Sequence, residues 1–458
     1  MEGSIVQKRK ESMLQGPLLP SIISFTIPVI LTSVLQLLFN AADLVVVGAF
    51  RGSASVGAVG ATNSVTHLLV NLFVGLSVGA GVAVVHGLGS HHDEEVHHTV
   101  HTALPLALVG GVLLTVVGVF ISKPLLKLMD TPAELLDLSA LYMKIYFGGI
   151  TFTVVYNFCA AILRAAGDTK SPLVYLVIAG CVNVALNVVF VKFFHMNVEG
   201  VALATIASQA LSAALVMLAL VRRDDSCHLD LRKLHFHGPQ LAKILCIGLP
   251  AGIQGSLFSV SNVIIQKSVN SFGEVFVAGN SAAVSIEGFM YVTLNSFHQT
   301  VVNFVGQNVG ARQYRRANQV VMICFACVAV AGVVLSGLVY FFGEALLSIY
   351  IRDSAQAIAD GMIRLSFVSI PYFVLGMMDV STGALRGYGS SVAPMIISVL
   401  GVCGIRIGWI YTIFEIPAYH TPQWLYISYP VSWLVTFLAQ LTVFLFLVRK
   451  YRNQENRL

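Results

Sequence analysis

Between residues 17 and 448 the chain alternates long apolar runs with short polar ones twelve times, and that alternation leaves few folds open. The runs fall near 17–48, 54–87, 97–121, 135–163, 172–194, 199–221, 241–271, 276–309, 317–342, 356–385, 392–416 and 424–448. A helix needs about 20 apolar residues to cross a bilayer, and every run is that long. Membrane strands fail on length, since they take roughly 10 residues of alternating pattern. Only 11% of the residues are charged, against about 25% in soluble domains. The sequence therefore predicts an all-α polytopic membrane protein with twelve transmembrane helices. Helices that are apolar all round hide their buried face, so periodicity does not orient them.

Charge sets the direction of the helices. The opening "MEGSIVQKRKES" is basic, but the apolar run after it is too long for a signal peptide and reads as a retained first helix. If the chain starts inside, eighteen basic residues fall on the cytoplasmic side, among them Lys8, Arg9, Lys10, Arg164, Arg315, Arg316, Arg386 and Arg449. Six fall outside: Arg51, Lys123, Lys127, Lys192, Arg352 and Arg364. That bias predicts that both termini are cytoplasmic. The net charge of +5 then reflects topology and gives no reason to expect a nucleic-acid partner. The seven cysteines lie mostly within helices, and "CFAC" at 324–327 sits in an apolar run with no second pair, which favours a buried apolar role over redox or metal chemistry.

One half of the chain matches the other when shifted by 222 residues. Pro28 in "FTIPVI" falls on Pro250 in "IGLPAG", and Asn40 falls on Asn262. "ILRAAGDTKSP" (162–172) falls on "ALRGYGSSVAP" (384–394), aligning Arg164 with Arg386 and Gly167 with Gly389. Each copy holds six helices, an even number, so the copies share one orientation. Parallel repeats of this kind imply a pseudo-twofold axis along the membrane normal and a cavity between the halves. The expected division is an N-lobe, 1–222, a polar cytoplasmic linker, 223–238, and a C-lobe, 239–458. Arg164 and Arg386 are expected to snorkel at cytoplasmic helix ends, with the glycines and prolines making the turns. Pro28 should weaken or kink the first helix, as a static or a mobile bend.

Two motifs suggest chemistry that their context does not support. "GLSVG" (75–79) has the nucleophile-elbow pattern, but the elbow needs a strand before its serine. Within a long apolar helix, Gly75, Gly79 and Gly81 better serve close helix packing. "SHHDEEVHHTVH" (90–101) places His97 and His101 one turn apart after Glu94, a spacing that suits a transition metal. Its repeat counterpart is a basic run without ligands, which favours a solvated helix start. His228, His235 and His237 with Cys227 form a second loose group of the same kind. No enzyme is predicted, and no cofactor.

Ionisable residues inside apolar runs are costly and usually mark pathways or paired sites. Glu287, Asp379 and Arg406 are three of them, all in the second half, and they suggest a substrate-cavity or structural network in which Arg406 pairs with a carboxylate. Asp43, in "NAADLVVVG" (40–48), belongs to the first half. At 1.5 Å per residue it lies roughly 8 Å below the outer end of its run, with Asn187 at roughly 11 Å and Thr205 at roughly 10 Å in theirs. Asn183 is one turn deeper. A carboxylate with two amides and a hydroxyl at one depth suits a monovalent cation, or a proton on the aspartate itself. The alternative is a neutral Asp43 hydrogen-bonded to an asparagine.

With these residues in view, the chain resembles the multidrug and toxic compound extrusion (MATE) family over nearly its full length. The resemblance rests on the two six-helix halves, on Asn40, Asp43 and Gly48, and on the two "LR..G....P" stretches. "VNFVGQNVGAR" (302–312) and "GVCGIRIGW" (401–409) are similar to a bacterial branch near the DNA-damage-inducible and staphylococcal types. The resemblance implies an antiporter of the bacterial inner membrane, working as a monomer within membrane lipid. It would export small organic, often cationic, compounds in exchange for H+ or Na+. It carries the cation site onto Asp43, Asn183, Asn187 and Thr205. Position 187 departs from the pattern, being Asn where such relatives often have Asp, which leaves the ion open. The seventh run, "GLPAGIQGSLFSVSN" (248–262), lacks the glutamate of the vibrio-type branch. Two other readings are a lipid-linked saccharide flippase of the same superfamily, disfavoured because Arg406 is the only deep arginine expected, and a membrane-embedded metal enzyme, disfavoured because the histidines lie in loops.

Overall fold

A computed structural model describes residues 13–128, 131–351 and 354–455; Lys8, Arg9, Lys10, Arg352 and Arg457 fall outside them. The described residues are helical throughout, with no strand among them. Six helices make up the first half: α1 (Leu18–Arg51), α2 (Ser53–Gly89), α3 (Asp93–Leu128), α4 (Ala133–Gly148 and Ile150–Ala165), α5 (Lys170–Val188, continued by a π turn over Val189–Phe193) and α6 (Val198–Val221). The second half repeats the count. It holds α7 (Gly238–Asn270), α8 (Glu274–Gly310), α9 (Tyr314–Tyr350), α10 (Ala355–Arg364, a π turn Leu365–Ser369, then Tyr372–Gly387), α11 (Val392–Ser398, a π turn Val399–Gly404, then Ile405–Tyr411) and α12 (Pro422–Glu455). Ten of these are long and apolar enough to span a bilayer singly. Counting the two bent pairs, α4 and α10, as one span each makes twelve. Only helices can do this here, because lipid offers no partner to a free backbone amide or carbonyl.

The halves share their irregularities as well as their helices. α4 bends by 48° at Gly149 and α10 by 44° at Ile370–Pro371, positions that coincide under the 222-residue shift. Gly167 and Gly389 take left-handed backbone angles, φ 83° and 84°. Each donates its amide to the carbonyl of Arg164 or Arg386, and the next residue reaches back to Leu163 or Leu385. This is the glycine stop that ends a helix, as expected for those motifs.

Helix faces sort by size rather than polarity. On α3, Val109, Leu113, Val116 and Phe120 are exposed, the last at 77%. The opposite face is small: a Cβ on Gly111 would meet Thr151 at 2.7 Å and one on Gly118 would meet the Phe147 ring. Large apolar residues outside and glycine inside is how membrane helices pack without a hydrophobic drive between them. The "GLSVG" motif does the same between α2 and α7. A Cβ on Gly75 would lie 2.1 Å from the Gly252 amide nitrogen, and one on Gly79 2.3 Å from the Ile244 carbonyl oxygen. Backbone cannot yield as a side chain can. Gly75→Val is therefore expected to cost at least about 1–3 kcal/mol, read as a lower unfolding temperature in detergent. An unchanged midpoint would mean the two backbones do not touch.

Packing draws its boundaries differently from the repeat. One compact unit comprises Ile27–Ser256, and the other joins Leu257–Leu458 with Leu14–Thr26. The start of α1 thus packs with the second half, and the start of α7 with the first. The contacts explain the first exchange. Thr26 shares a hydrogen bond with Thr300 at 2.8 Å, Phe25 meets Phe304 edge-on at 5.5 Å, and Arg316 donates to the carbonyls of Gln15 and Gly16. Pro28 lies inside α1 just past this crossover, where it leaves the Ser24 carbonyl without its usual amide donor.

Candidate functional site

In the first unit, α1, α5 and α6 bring together the four residues expected to form a cation site. Asp43 is 7% exposed, Asn183 4% and Asn187 fully buried, with Thr205 half-buried beside them. The Asn187 amide donates to Asp43 Oδ1 at 2.5 Å and to Asn183 Oδ1 at 3.2 Å. The Thr205 hydroxyl donates to Asp43 Oδ2 at 3.2 Å. Asn187 Oδ1 is buried with no hydrogen-bond partner. A buried carbonyl oxygen without a donor is costly, and here it stands in a cluster of oxygens led by a carboxylate. Hard monovalent cations take such ligands. The π turn of α5 begins two residues after Asn187; such turns offset the residues beyond them and recur at functional sites. Tyr142 and Tyr146 of α4 stack at 6.1 Å and lie within electrostatic range of Asp43.

The second unit departs from expectation. Glu287 does not pair with Arg406. Its carboxylate takes both arms of Arg364, Nε to Oε1 at 2.9 Å and Nη2 to Oε2 at 2.7 Å. The third guanidinium nitrogen, Nη1, donates to Asn280 Oδ1, which also accepts from the Tyr426 hydroxyl. Arg364, expected among the outer charges, is 6% exposed. It sits immediately before the π turn of α10, on the side of that helix that meets Glu287 and Asn280 of α8. Arg406 instead lies 4.0 Å from the centroid of the Tyr429 ring and 5.5 Å from that of Trp433, and donates to Ser432 Oγ. Aromatic faces replace the expected carboxylate. Asp379 belongs to another group: Asn295 donates to its side chain at 3.3 Å, and His298 Nδ1 lies 2.8 Å from its backbone oxygen. Arg386, expected to snorkel, is buried with Nη1 3.3 Å from His298 Nε2. Arg406 is therefore one of three buried arginines among the described residues of this unit.

The two histidine groups meet: His98 stacks on His237 at 4.3 Å and meets His235 edge-on at 5.7 Å. His97 and His101 stack at 4.0 Å. His101 places Nδ1 against the His97 carbonyl and accepts the Asp230 amide on Nε2, so both ring nitrogens are engaged by backbone. Among the described residues no three His, Cys, Asp or Glu side chains are placed to hold a metal ion.

The MatE family profile matches residues 28–189 and again 250–412. This chain belongs to the MatE family. Each match lies within one half of this MatE protein and stops before its sixth helix, and the two begin at the prolines aligned by the self-match. It is 26% identical over 391 residues to the probable multidrug resistance protein YoeA of Bacillus subtilis, covering 84% of each chain. It is 23% identical to an FAD transporter of Shewanella oneidensis, covering 86% of this chain and 87% of that one. Its fold matches that of a MOP superfamily transporter from Pyrococcus furiosus with a TM-score of 0.90, 21% identity and 99% of both chains covered. The protein is thus a multi-pass membrane transporter, all-α, with two halves of six helices.

Proposed function

We propose that this MatE protein exports small organic compounds, cations among them, in exchange for H+ or Na+ bound at Asp43, Asn183, Asn187 and Thr205. The observation that carries this reading is the buried carboxylate beside an unpartnered Asn187 oxygen. A carboxylate among neutral oxygens can hold either ion and release it when its surroundings change. Loading shifts the transport equilibrium only by the difference in ion affinity between its states. Pro28, where α1 passes from one packing unit to the other, is the place for the helix to yield. The protein would sit in the inner membrane as a monomer with both termini cytoplasmic, needing no cofactor beyond the coupling ion. The resemblance to a probable multidrug resistance protein supports the substrate class.

The test is efflux from proteoliposomes under imposed proton or sodium gradients, with a panel of compounds. Asn187→Ala and Thr205→Ala each remove one neutral ligand and are expected to raise the ion concentration for half-maximal exchange while keeping gradient-driven export. An unchanged ion dependence in both would place the coupling elsewhere. A second reading has one observation in its favour. Arg364, Arg386 and Arg406 are all buried, Arg364 against Glu287, Arg386 beside His298 and Arg406 against Tyr429, so a flippase of pyrophosphate-linked saccharides is no longer disfavoured by a lone deep arginine. An anionic substrate becomes admissible, and the compound panel should include FAD.

A further inference from the structure

We propose that a cleft in the second unit, formed by the start of α1, the start of α9 and the end of α12, binds an anionic phospholipid. The cleft has a volume of about 1010 Å³. Arg315 and Arg316 line it from the first turn of α9, and Leu18, Met322, Ile323 and Val448 supply apolar wall. Arg316 donates to the backbone carbonyls of Gln15 and Gly16 at 2.9 and 3.0 Å, fixing the entering chain beside the cleft. Tyr314 and Tyr451 hold α9 against α12 with ring centroids 4.9 Å apart. Arg315 is exposed, as are Arg449 and Lys450 just beyond Val448. The helix N-terminus under Arg315 adds its own partial positive charge, and Gln313, its cap, contributes no side-chain bond there.

Two features select a lipid over a free anion. Met322 is 64% exposed, on a helix whose outer face is apolar, so the wall opens toward the bilayer. From Arg315 to Met322 the cleft follows α9 for roughly 10 Å. That is the span of a phosphate, a glycerol and the first methylenes of an acyl chain. Basic pockets between helices at the cytoplasmic boundary suit such head groups, and the charge bias of the sequence assigns this end to the cytoplasm.

The experiment is native mass spectrometry of the full-length protein in neutral detergent. Phosphatidylglycerol and phosphatidylcholine with identical chains would be added in turn, with and without millimolar inorganic phosphate. Phosphatidylglycerol is expected to bind in preference, phosphate to leave it in place, and Arg315→Gln to weaken it about fivefold, as expected for one basic residue. Arg232→Gln, which removes an exposed charge of the linker, should change nothing. The double variant Arg315→Gln/Arg316→Gln should weaken binding further, and if it fails to fold Arg315→Gln alone decides. Equal binding of phosphatidylcholine, displacement by phosphate, or an unchanged Arg315→Gln would each overturn the proposal. None of these outcomes depends on transport.

Discussion

Asp43→Asn is expected to abolish gradient-driven export while leaving the protein folded. The amide matches the carboxyl in size: its oxygen can still accept from Asn187 and its NH2 can donate to the Thr205 hydroxyl oxygen, the two groups that bond Asp43 at 2.5 and 3.2 Å. What it loses is the charge. A cation about 4 Å from a carboxylate gains about 4 kcal/mol at an effective dielectric constant near 20, so ion affinity should fall on the order of a thousandfold. Neutral ligands cannot replace that, which is why Asn187→Ala and Thr205→Ala are expected to be milder. Proteoliposome flux, with calorimetry of ion binding to the purified variant, reads both quantities. Wild-type rates under both proton and sodium gradients would make Asp43 a structural group.

The second large effect is expected on stability. Arg364→Ala leaves Glu287, 5% exposed, as a buried carboxylate without its cation. Breaking a buried pair from one side costs about 3–5 kcal/mol, much of it the penalty for the abandoned charge. Expression and detergent stability should therefore collapse in Arg364→Ala and recover in Arg364→Met/Glu287→Leu, which removes both charges and keeps volume. Glu287→Gln separates structure from substrate contact. If it is stable and loses export of cations while neutral compounds still pass, Glu287 meets substrate, and the pair is more than a brace. If it is as unstable as Arg364→Ala, the pair is structural.

The sequence made some of this legible and hid the rest for identifiable reasons. Twelve spans followed from run length, and the cluster at Asp43 from counting 1.5 Å per residue, because α1 and α6 are regular helices and α5 becomes irregular only past Asn187. The same counting failed for Arg364. Its position near the start of its run reads as a surface charge, and only its bonds to Glu287 and Asn280 show that it is turned inward. It failed for Arg386 too, where the helix does end at the expected glycine, but His298 of α8 covers the guanidinium. Arg406 is buried, but its partners are not the carboxylate that its place inside an apolar run suggests. Nothing in spacing told that Tyr429 and Trp433, on a helix later in the chain, would face it.

The exchange of helix starts bears on how the chain is made. Thr26 and its partner Thr300 are 274 residues apart. At about 5–20 residues per second, the ribosome separates their synthesis by tens of seconds. During that interval the first half of α1 has entered the membrane with its docking surface still unsynthesised, and Phe25 and Thr26 must face lipid or an insertion factor. The six helices of the first half cannot mature alone. A nascent chain halted before α8 should remain open to protease and lipid-phase crosslinkers at α1, and close only when Thr300 and Phe304 arrive. The two halves are alike in sequence, yet the exchange of the starts of α1 and α7 makes each dependent on the other to complete its fold.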